Sequence, residues 1–380
     1  MGEPIMERPI RILQVCGIMN RGGIETMLMN LFRRIDRNQI VFDFMVHSEE
    51  EGEYDEEIKA LGGNIYNVPS YNGKNHFSYK KKWNKFFEEH KEYAIVHGHV
   101  RSTAGIYLKI AKEHGCVTIF HSHNTKTSGH GIEVLVKEFW QYRGRYYTDY
   151  FFACGQEAGE WLFGKKIVSG KRFYLVKNAI DVEKFAYDSK KREQLRKEMG
   201  LTEKYVVGNV GSFTTQKNHD FLLKAFREAR NLRENAVLYL VGQGPLKEEI
   251  VKSIADLGLQ DDVILAGTTS SVQDAYLIMD VFAFPSLHEG LPLVLIEAQA
   301  TGVPCVVSKD RVTPEVKVTN SIEFLSLDEG VKVWGSRVLE VEARGRKSHL
   351  KEVVDAGYDV EQTALWLRGF YLKIAEGTKM

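Results

Sequence analysis

The sequence is poor in cysteine and holds no closely spaced cysteine pair. Its 380 residues include four cysteines, and none of them belongs to a CxxC motif. They are Cys16, Cys116, Cys154 and Cys305. Because three of the four lie in or beside strand-like runs, we expect reduced core thiols in a cytosolic protein rather than a disulfide framework or a zinc site.

Charge of one sign and long apolar runs are also lacking. Lys+Arg and Asp+Glu both number 51, so the formal net charge is zero. The protein therefore has no net positive charge that would attract nucleic acid. No run approaches the ~18 apolar residues of a membrane span, and the N-terminal residues lack the apolar segment of a signal peptide. We therefore expect a cytoplasmic protein whose membrane contact, if any, is peripheral.

The length and the pattern of apolar runs predict two α/β domains. A chain of 380 residues exceeds the usual single core. Strand-like runs alternate with helical stretches in both halves, which is typical of mainly parallel sheets. We predict an N-terminal domain over residues 1–180, a C-terminal domain over residues 181–361, and an aromatic helix at about residues 362–380 that packs across the domain junction.

The first strand is followed by a glycine pair. Residues 10–17 are typical of a buried strand, residues 18–23 of a loop and residues 24–34 of a helix. Gly22 and Gly23 would let the backbone approach a phosphate or a sugar. The loop does not match GxGxxG, so a plain turn is the other interpretation.

Two histidine pairs stand at predicted strand ends. His97 and His99 follow one strand, and His121 and His123 follow the next. In open α/β sheets the carboxyl ends of strands face the ligand crevice, so these side chains could contact a ligand. We favour hydrogen bonds from His121 or His123 to a sugar or phosphate. Metal binding is the alternative, and most histidines of this kind bind no metal.

Two features of the second half suit a phosphate-bearing ligand. The loop GSFTTQKN follows the strand at residues 205–210 and leads into a helix, so Lys217 could meet a diphosphate at the helix N-terminus. A lone exposed lysine is the alternative. The turn GQGP, with Gly242 and Gly244, follows the next strand.

Residues 281–302 contain two carboxylates eight positions apart. They are typical of a strand, a loop and a helix whose first position suits Pro292. Glu289 would precede the helix and Glu297 would lie on its apolar stripe, while Gln299 marks the predicted solvent side. Ligand binding at the helix N-terminus is one interpretation. The other is that Glu289 caps the helix and that a neighbouring backbone group satisfies Glu297.

Two segments combine aromatic and basic residues. In residues 77–93 aromatic side chains recur at helical spacing opposite several lysines, and residues 136–150 are similarly aromatic and basic. A helix of this kind either lies on an anionic membrane or covers a sheet with its apolar stripe. We favour the covering helix.

The stretch EGLPLVLIEA, residues 289–298, resembles the Glu-x7-Glu signature of retaining glycosyltransferases of family 4. The segments FAFPS, GVPCVVS, LVGQGPL, VKNAID and GSFTTQKN resemble the flanking strands, glycine loop, interdomain segment and diphosphate loop of that family. The segments RILQVCGIMNRGGIE and FHSHN resemble members that act in bacterial capsule or exopolysaccharide synthesis. The resemblance extends from about residue 10 to the C-terminus.

The resemblance implies the GT-B fold, an α/β architecture of two Rossmann-like domains facing each other across a cleft. The first domain would bind the acceptor, the second would bind the nucleotide-sugar donor, and the C-terminal helix would return to the first. Glu289 would contact the donor sugar, Glu297 the ribose and Lys217 the diphosphate. His121 or His123 would bind a sugar hydroxyl and complete the catalytic set. The implied donor-binding residues are Gly22, Gly23, Ser212, Asn218, Gly242, Gly244, Gly290, Leu291 and Glu297.

The implied activity is a retaining hexosyl transfer from a nucleotide sugar, UDP-linked in the main hypothesis, to a glycan or lipid-linked saccharide. No cofactor or metal is expected, because cationic groups and helix N-termini can stabilise the leaving diphosphate. Peripheral contact with the inner face of the cytoplasmic membrane would involve residues 77–93 and 136–150.

One position departs from the family pattern. Members usually carry an arginine where this sequence has Ser212. Losing one charge-stabilising group typically costs ~10² to 10³ in rate. A nucleotide-sugar-binding protein with impaired catalysis is therefore a second hypothesis, and a sugar-nucleotide epimerase of the same fold is a third. The donor sugar, acceptor, linkage and oligomeric state are not predicted.

Overall fold

The chain forms two compact units. The computed structural model describes residues 8–123, 131–341 and 346–377. One unit comprises the residues up to Ala179 together with those from Val360 onwards, and the other is Ile180–Asp359. Each unit is an α/β structure built on one sheet, and each is described separately.

The first unit contains a seven-stranded sheet of order β3-β2-β1-β4-β5-β6-β7, and all its neighbouring strands are parallel. The strands are β1 Ile10–Cys16, β2 Ile40–Val46, β3 Ile65–Asn67, β4 Ile95–Gly98, β5 Val117–Ser122, β6 Tyr150–Ala153 and β7 Phe173–Leu175. The helices between them are α1 Gly23–Arg34, α2 Asp55–Ala60, α3 His76–Glu89, α4 Ala104–Glu113, α5 Ile132–Gly144, α6 Gln156–Phe163 and α7 Lys165–Val168.

The second unit contains a six-stranded parallel sheet of order β10-β9-β8-β11-β12-β13. Its strands are β8 Tyr205–Val210, β9 Ala236–Val241, β10 Val263–Gly267, β11 Val281–Phe284, β12 Cys305–Ser308 and β13 Ile322–Leu325. Its helices are α8 Ser189–Glu198, α9 His219–Leu232, α10 Lys247–Asp256, α11 Val272–Ile278, α12 Leu293–Ala300, α13 Gly330–Glu340 and α14 Leu350–Asp355.

The last helix, α15 Val360–Gly377, belongs to the first unit although it follows the second unit in sequence. Its buried side chains include Leu367 and Tyr371, which join the core on one face of the first sheet. Alternate residues of β1 serve two cores, because Ile12 points to this face and Leu13 to the opposite one. Helices therefore cover both faces of the first sheet, as its parallel strands require.

Two details of α12 differ from the sequence-based expectations. Pro292 has extended backbone angles and precedes the helix, which begins at Leu293. The prediction that Gln299 faces solvent is wrong, because this side chain is fully buried. Its amide donates to the carbonyls of Leu295 and Val316 at 2.9 and 2.8 Å. A buried amide with these partners ties α12 to the segment that follows β12.

The region after Ser308 is more regular than its pattern indicated. Between Ser308 and α15 the described residues form one further strand, β13, and two α-helices, α13 and α14. Trp334 anchors α13 in the core of the second unit, and its indole N–H donates to the carbonyl of Ser326 at 2.9 Å. The strand β13 has only four residues, and three of them are partly buried. A strand this short and this little buried has no clear apolar pattern by which the sequence could predict it.

Candidate active site

The strand order reverses once in each sheet. In the first unit β1 and β4 are neighbours, and the sheet grows outward from them in both directions; in the second unit β8 and β11 have the same relation. Loops leaving the carboxyl ends of such a strand pair diverge to opposite faces, which opens a crevice where ligands bind in open α/β sheets. The predicted site residues fall largely on these two crevices.

Lys217 and Glu289 form an ion pair at the crevice of the second unit. Lys217 lies in the loop after β8, Glu289 lies in the loop after β11, and their Nζ and Oε1 atoms are 2.6 Å apart. Their side chains are only 14% and 9% exposed. The ammonium group also lies 4.8 Å from the ring centroid of Phe284, at the end of β11. Two residues predicted separately are thus brought into direct contact.

Backbone and amide hydrogen bonds fix the two loops that carry this pair. Asn218 Nδ2 donates to the carbonyl of Pro285 at 3.0 Å, and Gln216 Nε2 donates to that of His288 at 2.7 Å. The N–H of Leu287 donates back to the carbonyl of Gln216 at 2.8 Å. Asn218 has a left-handed φ of 58°, a conformation that asparagine tolerates better than most residues. Asn218 is therefore well placed to hold the loops together.

The glycines of the GQGP turn support the Lys217 loop from behind. A Cβ atom on Gly242, whose φ is 147°, would lie 1.9 Å from the carbonyl oxygen of Gly211. A Cβ atom on Gly244 would lie 2.5 Å from the carbonyl oxygen of Phe213. Only glycine permits this close backbone approach. The structure thus gives both glycines a packing role against the loop that contains Ser212.

The surface beside the ion pair is open at two predicted positions. Ser212 is exposed, and no protein atom lies within 4 Å of the position of a Cβ on Gly290. Leu291, the next residue, packs against the core of the second unit. His219, at the start of α9, adds no charge here, because burial lowers its pKa to about 4. Lys217 is therefore the cation that the loop itself supplies.

Glu297 lies one helical turn into α12 and is partly buried. Its Oε2 atom accepts a hydrogen bond from the hydroxyl of Tyr276 at 2.8 Å. Burial raises the pKa of Glu297 to about 7, and the hydrogen bond from Tyr276 opposes this rise. Tyr276 is fully buried in α11. The sequence analysis did not identify Tyr276, because nothing in its helical pattern distinguishes it from a core residue.

At the crevice of the first unit, Gly22 precedes α1 and Gly23 begins it. Gly23 has open space around its Cβ position, whereas a Cβ on Gly22 would lie 2.3 Å from the carboxylate of Glu25. Gly22 thus makes room for an acidic side chain in the first turn of α1. A negatively charged group at this helix end competes with any phosphate for the same backbone N–H groups.

Four buried histidines form a cluster in the same crevice. His97 and His121 lie in β4 and β5, and His99 and His123 follow them closely in sequence. His97 Nε2 is 3.2 Å from His121 Nδ1, and His99 Nδ1 is 2.8 Å from His123 Nε2. His123 is 9% exposed and the other three are less exposed. His123 is therefore the cluster member most open to a ligand.

Two residues that the sequence analysis did not select complete this cluster. Gln14 Oε1 lies 2.9 Å from His99 Nε2, and Gln14 Nε2 donates to the hydroxyl of Tyr371 at 3.3 Å. The same hydroxyl lies 2.7 Å from His97 Nδ1. A glutamine inside a buried strand is a signal that could have been used for Gln14. No sequence signal could connect Tyr371 with the histidine cluster, because Tyr371 is 357 residues away from Gln14 in the chain.

The histidines of the cluster are neutral. Burial lowers the pKa of His97 and His123 to about 3, and it lowers the pKa of His99 and His121 well below the usual value. Neutral imidazoles can also ligate metals, and ring nitrogens of His97, His99 and His121 lie within 4.8 Å of one another. An ion there would have to replace hydrogen bonds already made. Metal independence stays a prediction.

The two aromatic, basic segments differ in exposure. The aromatic stripe of α3 is buried in the first unit, so the covering-helix interpretation is confirmed for it; its members are Tyr79, Trp83, Phe86 and Phe87. By contrast α5 and the turn after it expose an outer stripe of Leu135, Phe139, Tyr142 and Tyr146. Among the residues that the structure describes, no helix combines the length and apolarity that crossing a bilayer requires.

Known families match both halves of the chain. Residues 21–184 match "Glycosyltransferase Family 4" and residues 191–339 match "Glycosyl transferases group 1". A Bacillus subtilis (strain 168) protein named "Putative glycosyltransferase EpsF" is 35% identical over 372 residues, which cover 95% of this chain and 96% of that protein. The chain belongs to glycosyltransferase family 4. The predicted family is thus confirmed.

Two further relatives of this family 4 chain have more specific names. The Staphylococcus aureus "Capsular polysaccharide biosynthesis glycosyltransferase CapH" is 22% identical over 370 residues, which cover 96% of this chain and 99% of that protein. The Escherichia coli "UDP-Gal:alpha-D-GlcNAc-diphosphoundecaprenol alpha-1,3-galactosyltransferase" is 29% identical over 226 residues, which cover 57% of this chain and 58% of that protein.

A solved structure supports the fold. The family 4 chain superposes on Anabaena Alr3699/HepE, solved in complex with UDP, with a TM-score of 0.77 at 14% identity. The match covers 96% of this chain and 100% of that chain. The predicted fold class, α/β with two Rossmann-like domains of the GT-B type, is confirmed.

The pKa of Glu297 predicts a pH-dependent stability. In the unfolded chain the pKa of a glutamate is about 4.3, whereas that of Glu297 in the folded protein is about 7. Between these two pH values the folded state therefore binds more protons than the unfolded chain. The contribution of Glu297 to the free energy of unfolding is therefore largest at low pH and declines as the pH rises. The free energy of unfolding of Glu297→Gln, measured with urea and taken relative to that of wild type, should therefore rise by about 2 kcal/mol from pH 5 to pH 8.

The matched control is Glu249→Gln, on the exposed side of α10. Its stability difference from wild type should not change with pH by more than about 0.5 kcal/mol. A parallel pH dependence of wild type and Glu297→Gln would contradict the assignment of a partly buried carboxyl group that binds a proton in the folded state.

Proposed function

We propose that this family 4 glycosyltransferase moves a sugar from a UDP-linked donor to a glycan or lipid-linked saccharide in cell-surface polysaccharide synthesis, with retention of configuration. The observation that carries the proposal is the ion pair of Lys217 and Glu289 at the crevice of the second unit. A diphosphate binds to a cation, and sugar hydroxyls donate hydrogen bonds to an acceptor. Here the Lys217 ammonium group and the Glu289 carboxylate supply the two, 2.6 Å apart. The names of the relatives support the choice of a UDP-linked donor, a lipid-linked acceptor and polysaccharide synthesis.

The ion pair suggests how the donor would bind. Lys217 and Glu289 neutralise each other, and both side chains are largely buried. A nucleotide sugar would divide the pair, with its diphosphate against the ammonium group and its sugar hydroxyls against the carboxylate. The E. coli relative is named for a UDP-sugar donor and a lipid-diphosphate-linked acceptor, and HepE was solved with UDP. Both support the choice of a UDP-linked donor.

The proposed chemistry exchanges one bond at the anomeric carbon. The bond from this carbon to the donor phosphate oxygen breaks, and a bond to the acceptor hydroxyl oxygen forms on the same face. The acceptor proton goes to the departing phosphate, and the nucleoside diphosphate leaves. Lys217 would stabilise the negative charge that develops on the phosphate. We propose that no metal takes part, so chelation with EDTA should leave turnover unchanged.

The first test of this function is a panel of UDP-, GDP- and ADP-sugars assayed for stabilisation and turnover. A ligand that binds the folded state must raise the melting temperature, so we expect a rise with UDP-sugars. Lys217→Met should lower turnover ~10² to 10³-fold. Lys224→Met is the control, because Lys224 on α9 is exposed and pairs with Asp220 at 2.6 Å.

Two outcomes would reject the proposed function. A folded protein that neither binds nor hydrolyses any donor would exclude it. Interconversion of donor sugars without any acceptor would instead identify a sugar-nucleotide epimerase.

The consequence of Ser212 can be tested separately. The N–H of Glu289 donates to the carbonyl of Arg311 at 2.8 Å, and Arg311 is exposed. We propose that Arg311 supplies the cation that an arginine at position 212 would provide. Arg311→Gln should then lower turnover at least tenfold, and Ser212→Arg should change it by less than tenfold. A larger rise with Ser212→Arg would identify an impaired catalytic site.

A lipid-linked acceptor would bring the enzyme to a membrane, and α5 offers a suitable surface. Its outer stripe is spaced at i, i+4, i+7 and i+11, with Leu135 65% and Phe139 55% exposed. The same segment contains the basic residues Lys137, Arg143 and Arg145, which would favour anionic lipid headgroups. We propose that this stripe contacts the inner face of the cytoplasmic membrane. In α3 only Phe77, which is 86% exposed, would join it.

The membrane contact predicts co-sedimentation with vesicles of phosphatidylglycerol and phosphatidylcholine that weakens as salt rises. Leu135→Ser combined with Phe139→Ser should lower the bound fraction several-fold. The control is Leu232→Ser, since Leu232 in α9 is 66% exposed but lies in the second unit. Equal binding of the double variant and the control would contradict the contact.

A further inference from the structure

A polar cavity of about 400 Å³ lies at the amino ends of β8 and β11 in the second unit. Tyr205, the first residue of β8, and Asp280, which directly precedes β11, both line it. The crevice that holds Lys217 and Glu289 lies at the carboxyl ends of the same two strands, so the cavity is at the opposite edge of the sheet. Its volume is within the range of ~300 to 1,000 Å³ that is typical of small-molecule sites.

Positive charge dominates the lining of this cavity. Five cationic and two acidic side chains of the described residues line it, which gives a formal charge of +3. The cationic residues are Arg192, Arg196, Lys204, Arg233 and Arg346, and the acidic ones are Glu203 and Asp280. Because the whole chain has a formal net charge of zero, this surplus is a local feature.

One carboxylate serves two of the arginines. Asp280 Oδ1 accepts from Arg192 at 2.6 Å, and Asp280 Oδ2 accepts from Arg196 at 3.0 Å. The same Oδ2 atom also accepts from the backbone N–H of Val206 at 2.7 Å. Asp280 therefore balances one of the two guanidinium charges and leaves the other without a counter-charge.

Arg346 adds a third guanidinium group, and its hydrogen-bond partners are backbone carbonyls. Its Nη2 donates to the carbonyl of Tyr276 and its Nη1 to that of Met279, both at 2.8 Å. Its Nε donates to the carbonyl of Thr301 at 3.1 Å. These bonds tie Arg346 to the end of α11. A helix end carries only about half a negative charge, so these carbonyls offset a small part of the surplus.

Burial makes the unbalanced charge costly. It lowers the pKa of Arg346 to about 9, and repulsion from Arg192 adds to the fall. Burial also lowers the pKa of Arg192; Asp280 opposes this fall, and repulsion from Arg196 adds to it. The guanidinium groups still carry their charges at neutral pH. An anion in the cavity would therefore relieve the repulsion among them.

The arginines also retain hydrogen-bond donors. A guanidinium group has five N–H donors, and those of Arg192 and Arg196 reach protein acceptors through their Nη atoms. Among the described residues, their Nε–H groups have no hydrogen-bond partner, and neither is sealed from solvent. A phosphate group has more acceptor oxygens and more charge than a carboxylate, so it can bind more than one guanidinium group at once.

We propose that this cavity binds a small, soluble phosphate compound, at a site separate from the crevice of Lys217 and Glu289. The inference does not rest on the proposed function, because the cavity uses none of the residues to which that function assigns a role. An anion with two or more charges would cancel most of the formal charge of +3. Lys204, which is exposed, and Arg233, which is half-buried, would contact the anion from the outer side.

Binding is tested with pyrophosphate and the full chain carrying Lys217→Met, which removes the ammonium group of the crevice. Thermal unfolding and titration calorimetry supply the two measurements. Pyrophosphate should raise the melting temperature by at least about 2 °C, because it binds the folded state. Potassium chloride of equal ionic strength should give a clearly smaller rise. A folded protein that does not bind pyrophosphate would overturn the proposal.

Two substitutions assign the binding to the cavity. In the same protein, Lys204→Met combined with Arg233→Gln should raise the Kd for pyrophosphate about tenfold or more. The three arginines that bind backbone carbonyls stay in place, so the fold should be kept. The matched control is Lys252→Met with Arg227→Gln, since both residues are exposed in the second unit and neither lines the cavity.

The control pair should change the Kd by no more than about twofold, because solvent screens distant surface charges. Equal weakening in the two double variants would show a general attraction of anions and would overturn the site. Glucuronate tests the class of anion, and pyrophosphate should bind at least about tenfold more tightly than this carboxylate. Equal or tighter binding of glucuronate would overturn the choice of a phosphate compound.

Discussion

The reversal of strand order in each sheet is the constraint on which the candidate sites depend. Parallel strands need helical connections, and only where the order reverses do these connections leave to opposite faces. Lys217 and Glu289 lie in loops beside the reversal of the second sheet, and Gln14, His97 and His99 lie on or directly after the two strands of the reversal in the first sheet. The rest of each sheet is covered by helices on both faces and contributes rigidity rather than chemistry.

The two crevices achieve electrical neutrality in different ways. In the second unit, opposite charges on Lys217 and Glu289 cancel across a single contact. In the first unit, burial removes the charge from the imidazoles and leaves a set of oriented dipoles. A charged pair can reorganise around an anion such as a diphosphate, whereas a neutral network suits uncharged hydroxyl groups. This difference fits the proposed function, in which Lys217 of the second unit binds the diphosphate of the donor.

Local patterns could predict the strands up to Ser308, because runs of apolar residues and period-3.6 repeats are short-range features. They also identified the Glu289 and Glu297 positions. They could not predict contacts that depend on the tertiary fold. The prediction placed Gln299 on the solvent side because it lies opposite the stripe that contains Glu297. Because α12 is apolar on nearly all sides, that stripe does not orient the helix. The link between Gln14 and Tyr371 joins opposite ends of the chain, and no local rule reaches that far.

The position of α15 has a consequence for biosynthesis. The first unit needs this helix to cover one face of its sheet, yet the residues of the whole second unit precede the helix in the chain. During synthesis on the ribosome, one apolar face of the N-terminal sheet would stay uncovered until residues 180–359 have been synthesised. Chain termination before residue 360 would leave that face open, so the first unit can finish folding only after the second unit has been synthesised.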